Sequence, residues 1–112
     1  MSLHDALFTS AVPVRKTIML KLADGSEIEH EFFIKELPAI DMRRQILAEQ
    51  SSNEKTVSEA LSALIARALC DIEGKAVMTI NQANQLKPHI AGSLRDLIME
   101  VNGFGGKKPS EP

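Results

Sequence analysis

The chain has 112 residues, 44% of them hydrophobic, and a net charge of −2 from 13 basic and 15 acidic side chains. This is enough for one domain with its own core, and the balance of charge excludes the strongly basic face of a typical nucleic-acid binder. A single cysteine, Cys70, excludes an internal disulfide. With four Phe and no Trp or Tyr, the core must be built from Leu, Ile, Val, Ala and Met, and single-stranded nucleic acid would find few rings to stack on.

Residues 1–13 read as a flexible leader in which Leu3, Leu7 and Phe8 form at most a short amphipathic turn before Pro13, mobile or docked by those apolar groups. From Val14 the period becomes two. Ile18, Leu20 and Leu22 alternate with Thr17, Met19 and Lys21; after "ADGS", Ile28, His30, Phe32 and Ile34 alternate with Glu27, Glu29, Glu31, Phe33 and Lys35. This predicts a β-hairpin. A three-residue loop, Ala23-Asp24-Gly25, places Leu20 opposite Ile28, Val14 opposite Ile34 and Lys21 opposite Glu27. It also puts Gly25 where a left-handed residue is needed, whereas a one-residue slip would set Leu20 against Glu29.

Pro38 suits the first turn of a helix, "PAIDMRRQILAEQ". Its stripe of Ile40, Arg43, Arg44 and Leu47 is only half apolar, with Ala39, Met42 and Ile46 nearby. A second helix is expected behind a capping box at Thr56 and Glu59. Its apolar face runs through Val57, Leu61, Leu64, Ile65, Ala68, Leu69 and Ile72 to a stop at Gly74. "KAVMTI" reads as extended, Thr79 caps a brief helix, and Pro88 opens a last helix with Ile90, Leu94, Leu97, Ile98 and Val101 on one face. Gly103 ends that helix, with Phe104 folding back as the contact beyond the cap. The expectation is an α+β fold: an N-terminal β-hairpin followed by a bundle of three to four helices, with one domain over 14–104 and a flexible tail over 105–112.

Reactive groups are sparse. His4, His30 and His89 show no metal-ligand spacing. His30 sits on the apolar strand face, structural or at an interface, and His89 at a helix start, in solvent. Cys70 has no local base or activating field and reads as a small core residue. Acids at helical spacing read as solvated faces. The adjacent Arg43 and Arg44 point in different directions, which disfavours a two-arginine clamp. "NGFGGKK" follows a helix and precedes a proline, the wrong order for a phosphate loop. No catalytic residue, cofactor or metal is assigned, and the reading is non-enzymatic. No apolar run reaches membrane-span length and the start lacks a secretory signal, so a soluble intracellular protein is expected.

The hairpin "TIMLKLADGSEIEHEFFIKEL", the helical stretch "TVSEALSALIARALCDIEGKAV" and the ending "LKPHIAGSLRDLIMEVNGFGGKK" together resemble the tail assembly chaperones of long-tailed bacteriophages and their prophage derivatives, from about Val14 to Lys108. The resemblance implies a chaperone in the host bacterial cytoplasm that is absent from the mature virion. It would bind the helical tape measure protein and keep it soluble while tail tube subunits assemble around it. It also implies a longer product made by −1 ribosomal frameshifting; a slippery heptamer would encode Gly-Lys, as at Gly106-Lys107. Partners implied are the tape measure protein, the tail tube protein and further copies of the chain, with no nucleic acid and no membrane. The candidate partner-binding surface is Ile90, Leu94, Leu97, Ile98, Val101 and Phe104. Two other classes fit the same residues: a structural head–tail joining or tail completion protein, and a small non-phage adaptor or regulatory module.

Overall fold

The computed structural model describes residues 3, 7–10 and 12–104. The expected leader is thus described only in part. The expected tail and the Gly106-Lys107 step lie outside the described residues.

Strands β1 (Val14–Lys21) and β2 (Glu27–Ile34) form the antiparallel hairpin in the expected register, with Val14 opposite Ile34, Leu20 opposite Ile28 and Lys21 opposite Glu27. The turn is closed by Gly25 at φ 91° and by the Asp24 carboxylate, which accepts from the Ser26 amide and hydroxyl at 2.9 and 2.6 Å. Those bonds, the hydroxyl's first, hold the Asp24 carboxyl below its ordinary range. One face of the hairpin carries Val14, Lys16, Ile18 and Leu20 beside Ile34, Phe32, His30 and Ile28. Burial grades along it: Ile34 is fully buried, whereas Ile28 near the turn is 44% exposed. The hairpin therefore extends past the helical layer that covers its other end. Lys16 interrupts the apolar face, and its ammonium lies 3.6 Å from Glu100, tying β1 to the last helix.

Helix α1 (Ala39–Glu49) begins after Pro38 at the N-cap. It turns Met42 and Gln45 inward and leaves Ile40 and Leu47 exposed. The expected stripe of Ile40, Arg43, Arg44 and Leu47 is thus mostly the solvent face. The inward row is partly polar because its polar members find partners. Gln45 donates to the Ala60 carbonyl at 3.0 Å and to Glu49 at 2.9 Å, and Glu49 also receives two bonds from Arg95, at 2.8 and 3.2 Å. A buried amide that is fully bonded is tolerated where an unpaired one is not.

Helix α2 (Glu54–Ala68) starts three residues earlier than expected: its N-cap is Asn53 and not Thr56, and the Asn53 side chain accepts from the Thr56 amide at 3.0 Å. It also ends earlier. Leu69–Cys70 leaves the helix and forms β3, pairing with Ile34 and Phe33 to give the sheet order β1-β2-β3. Ile72, expected on the helical stripe, is 64% exposed, and Gly74 (φ 87°) serves a turn rather than a helix stop. In that turn the Asp71 carboxylate accepts from the amides of Glu73 and Lys75 at 2.8 and 2.9 Å, and Ala76 returns to bridge Cys70.

Thr79 caps helix α3 (Ile80–Ala83) in a reciprocal box with Gln82, and helix α4 (Pro88–Val101) opens on Pro88 as expected. Helix α2 is the central element, packed against α1, α3 and α4. The largest fully buried side chains, Ile34, Leu64, Ile65, Leu69, Leu94 and Ile98, form one core where the end of β2, α2 and α4 meet. Burial of each such side chain stabilises the fold by roughly 1.5–3 kcal/mol.

Candidate functional site

Helix α4 presents the candidate surface, and its residues separate by depth. Leu94 and Ile98 are within the core at 1% and 0% exposure. Ile90, Leu97 and Val101 are half-buried against that core, and Phe104 is exposed. The middle of the stripe therefore holds the domain together, while its two ends open into separate apolar grooves.

The first groove lies at the C-terminal end of α4. There the helix stops in the left-handed cap predicted from Gly103: φ is 85°, Gly103 donates to the Glu100 carbonyl at 3.1 Å and Phe104 to the Met99 carbonyl at 2.8 Å. The side chain of Asn102 accepts from the Leu37 amide at 2.6 Å and donates to the Ile98 carbonyl at 2.8 Å. It thereby clamps the link between β2 and α1 onto the end of α4. The result is a groove of about 560 Å³ whose apolar wall is Leu7, Leu37, Met42, Ile46, Leu47 and Phe104. Leu47 and Leu7 are 59% and 65% exposed there. The N-terminal segment enters this wall, and the Ser10 amide donates to Glu36 at 2.7 Å.

The second groove lies at the other end of α4, between the hairpin and α3–α4, lined by Leu20, Leu22, Phe32, Met78, Leu86 and Ile90, about 290 Å³. A third depression, about 560 Å³, runs beside the outer part of β2 past Phe33, Ile72 and Val77. His30 sets its ring edge-on to Phe32 at 4.8 Å, and Arg15 lies 5.6 Å over the Phe33 ring. Cys70 borders this depression but is itself buried. Burial pushes its thiol pKa up; nearby Lys35 opposes that and Asp71 adds to it. A raised thiol remains protonated near neutrality, the opposite of an activated nucleophile.

No group of three or more His, Cys, Asp or Glu side chains that could hold a metal ion occurs among the described residues. No described helix is long and apolar enough to cross a membrane. Of the candidate surface, Ile90 and Leu94 meet the second groove and Phe104 meets the first, so these residues do not line a single groove. The first groove draws half of its lining from α1, through Ala39, Met42, Arg43, Ile46 and Leu47, none of them in the candidate surface. The available signal was Ile46-Leu47, two large apolar residues in a helix whose inward row is partly polar.

Fold and surfaces define a small α+β protein whose developed features are apolar grooves beside an incompletely covered hairpin. Residues 2–102 match the family model described as phage tail assembly chaperone, and the chain belongs to that family. The match takes in the N-terminal segment, on which the resemblance read from the sequence had not drawn, and it ends at Asn102, before Phe104 and the glycines. The partners of such a chaperone are proteins of the phage tail. No curated protein and no solved structure matches the chain.

Proposed function

We propose that this chaperone binds the helical tape measure protein and keeps it soluble while tail tube subunits assemble around it, without entering the mature virion. The observation that carries the reading is the first groove. It exposes Leu47, Leu7 and Phe104 around a floor of Leu37 and Met42 at the mouth of a charged protein. An amphipathic helix seats i, i+3, i+4 and i+7 side chains in such a groove, and Met42 supplies an adaptable contact. The host bacterial cytoplasm is where this work would occur.

Co-expression with the tape measure protein tests it. The expected result is a several-fold rise in soluble tape measure protein that copurifies with the chain, reduced by Leu47→Arg, a change at an exposed position that leaves the fold intact. No change in solubility on co-expression overturns the proposal. Detection of the chain in purified virions by mass spectrometry would instead assign it to head–tail joining or tail completion. A gene without a slippery heptamer at codons 105–108 would remove the longer product.

Self-association belongs to the same reading. β1 is an edge strand along its whole length, and β3 covers β2 only at Phe33 and Ile34. Open edges of this length are templates for pairing with another copy, and several linked copies would coat a long client by multivalency. Light scattering checks this: a mass fixed at the 12.3 kDa of one chain at high concentration rules it out.

A further inference from the structure

The second groove carries two lysines in its lining, where the first carries one arginine, Arg43. The floor of the second is Leu20, Phe32, Met78, Leu86 and Ile90, and the apolar surface continues onto Leu22 and Ile28 of the hairpin, 41% and 44% exposed. Two lysines line it, Lys21 from the end of β1 and Lys87 from the N-cap of α4. Neither makes an ion pair among the described residues, although Glu27 stands opposite Lys21 in the ladder. Helix α4 has no acidic residue in its first turn and no side-chain cap, so its positive end adds to the same sign. The chain as a whole is acidic, at −2, which makes this positive rim a local feature.

We propose that this groove is a second docking site, for an amphipathic helix with acidic flanks. Bulky apolar side chains of the partner would seat between Leu20, Met78, Leu86 and Ile90. Its carboxylates would lie over Lys21 and Lys87. Apolar burial supplies the affinity, and the lysines set orientation and speed association. The exposed face of α1 is the wrong occupant: Ile40 and Leu47 stand beside Arg43 and Arg44, so that face of a second copy would bring like charge to the rim. The site is separate from the first groove and does not depend on which tail protein fills that one.

Two synthetic helices with one apolar stripe, flanked either by glutamates or by lysines, test it against the full chain by fluorescence anisotropy and by methyl NMR of the methionines. The expected result is about tenfold tighter binding of the acidic helix at low salt, narrowing as salt screens the rim. The Met78 methyl should shift and the Met42 methyl, in the first groove, should not. Lys21→Glu with Lys87→Glu should reverse the preference, Leu22→Arg should weaken binding, and Leu47→Arg should leave it unchanged. Equal affinities, no binding, a preference that survives charge reversal, or loss of binding in Leu47→Arg would each overturn the proposal. So would a concentration-dependent Met78 shift without peptide, which would make the occupant a second copy.

Discussion

Replacing Asn102 with alanine removes a clamp between segments 65 residues apart in sequence. Two hydrogen bonds disappear: the Leu37 amide loses its acceptor at 2.6 Å, and the Ile98 carbonyl loses a donor at 2.8 Å. Leu37 is 7% exposed, so water does not readily replace the acceptor. A buried donor left without a partner costs about 1–3 kcal/mol, and the second bond contributes about 0.5–1.5 kcal/mol. The Ile98 carbonyl keeps the Asn102 backbone amide at 3.1 Å, which places the second contribution at the low end of that range. The sum is roughly 1.5–3.5 kcal/mol. For a domain near one hundred residues each kcal/mol lowers Tm by about 4 °C, so Asn102→Ala should melt roughly 6–14 °C below wild type. Thermal unfolding by circular dichroism measures it, with Asp96→Ala as the exposed control on the same helix. A loss no larger than the control's would show that the clamp carries no net stability and would refute the reasoning.

Three further outcomes follow from local geometry. Asn53→Ala should cost about 1 kcal/mol in urea unfolding, while Thr56→Ala should cost far less, because Asn53 is the residue that caps α2. Gly103→Ala should cost about 1–2 kcal/mol by the same measurement, since φ is 85° and the added methyl meets no neighbour, so strain in the backbone is the whole effect. The third concerns pH: burial raises the Glu49 carboxyl pKa, but the bonds from Arg95 and Gln45 and the Arg95 charge outweigh it and hold it below its ordinary 4.5. A depressed carboxyl contributes stability that is present above pH 4.5 and lost as pH falls through its native value. Glu49→Gln should therefore flatten the acid limb of the stability curve, by about 1 kcal/mol or less because Arg95 is partly solvated. Asp24 and Asp71 are lowered in the same direction, so part of the limb should remain. An unchanged limb would mean that the Glu49–Arg95 pair is not formed in solution.

Much of the architecture is legible from short-range pattern because the forces that set it act over a few residues. Side-chain alternation and the demand for a left-handed residue at Gly25 give the register of β1 and β2 with no knowledge of the rest. Pro88 and Gly103 bracket α4, and Thr79 marks the start of α3, for the same reason. The candidate site was less legible. Ile90, Leu94, Leu97, Ile98 and Val101 share a helical face, but periodicity reports only that a face is apolar, not whether it meets the core or a partner. Depth was decided by α2 and β2, which bury Leu94 and Ile98 and leave the ends of the stripe open.

What the sequence by itself determined is thus the hairpin with its register, the order of elements, and the stop at Gly103. Tertiary structure decided the rest. Leu69 and Cys70 have helical neighbours and an apolar helical pattern, yet the open edge of β2 at Phe33 and Ile34 draws them into a strand, because unpaired backbone groups there find partners that a further helical turn would not supply. The inward face of α1 is another case. Glu49, one of the acids at helical spacing, reads as a solvent residue until Arg95, distant in sequence, satisfies it, and Gln45 is buried beside it on the Ala60 carbonyl. Long-range hydrogen bonding of polar groups is invisible to a periodicity argument, and in this chain it sets both the end of α2 and the walls of the first groove.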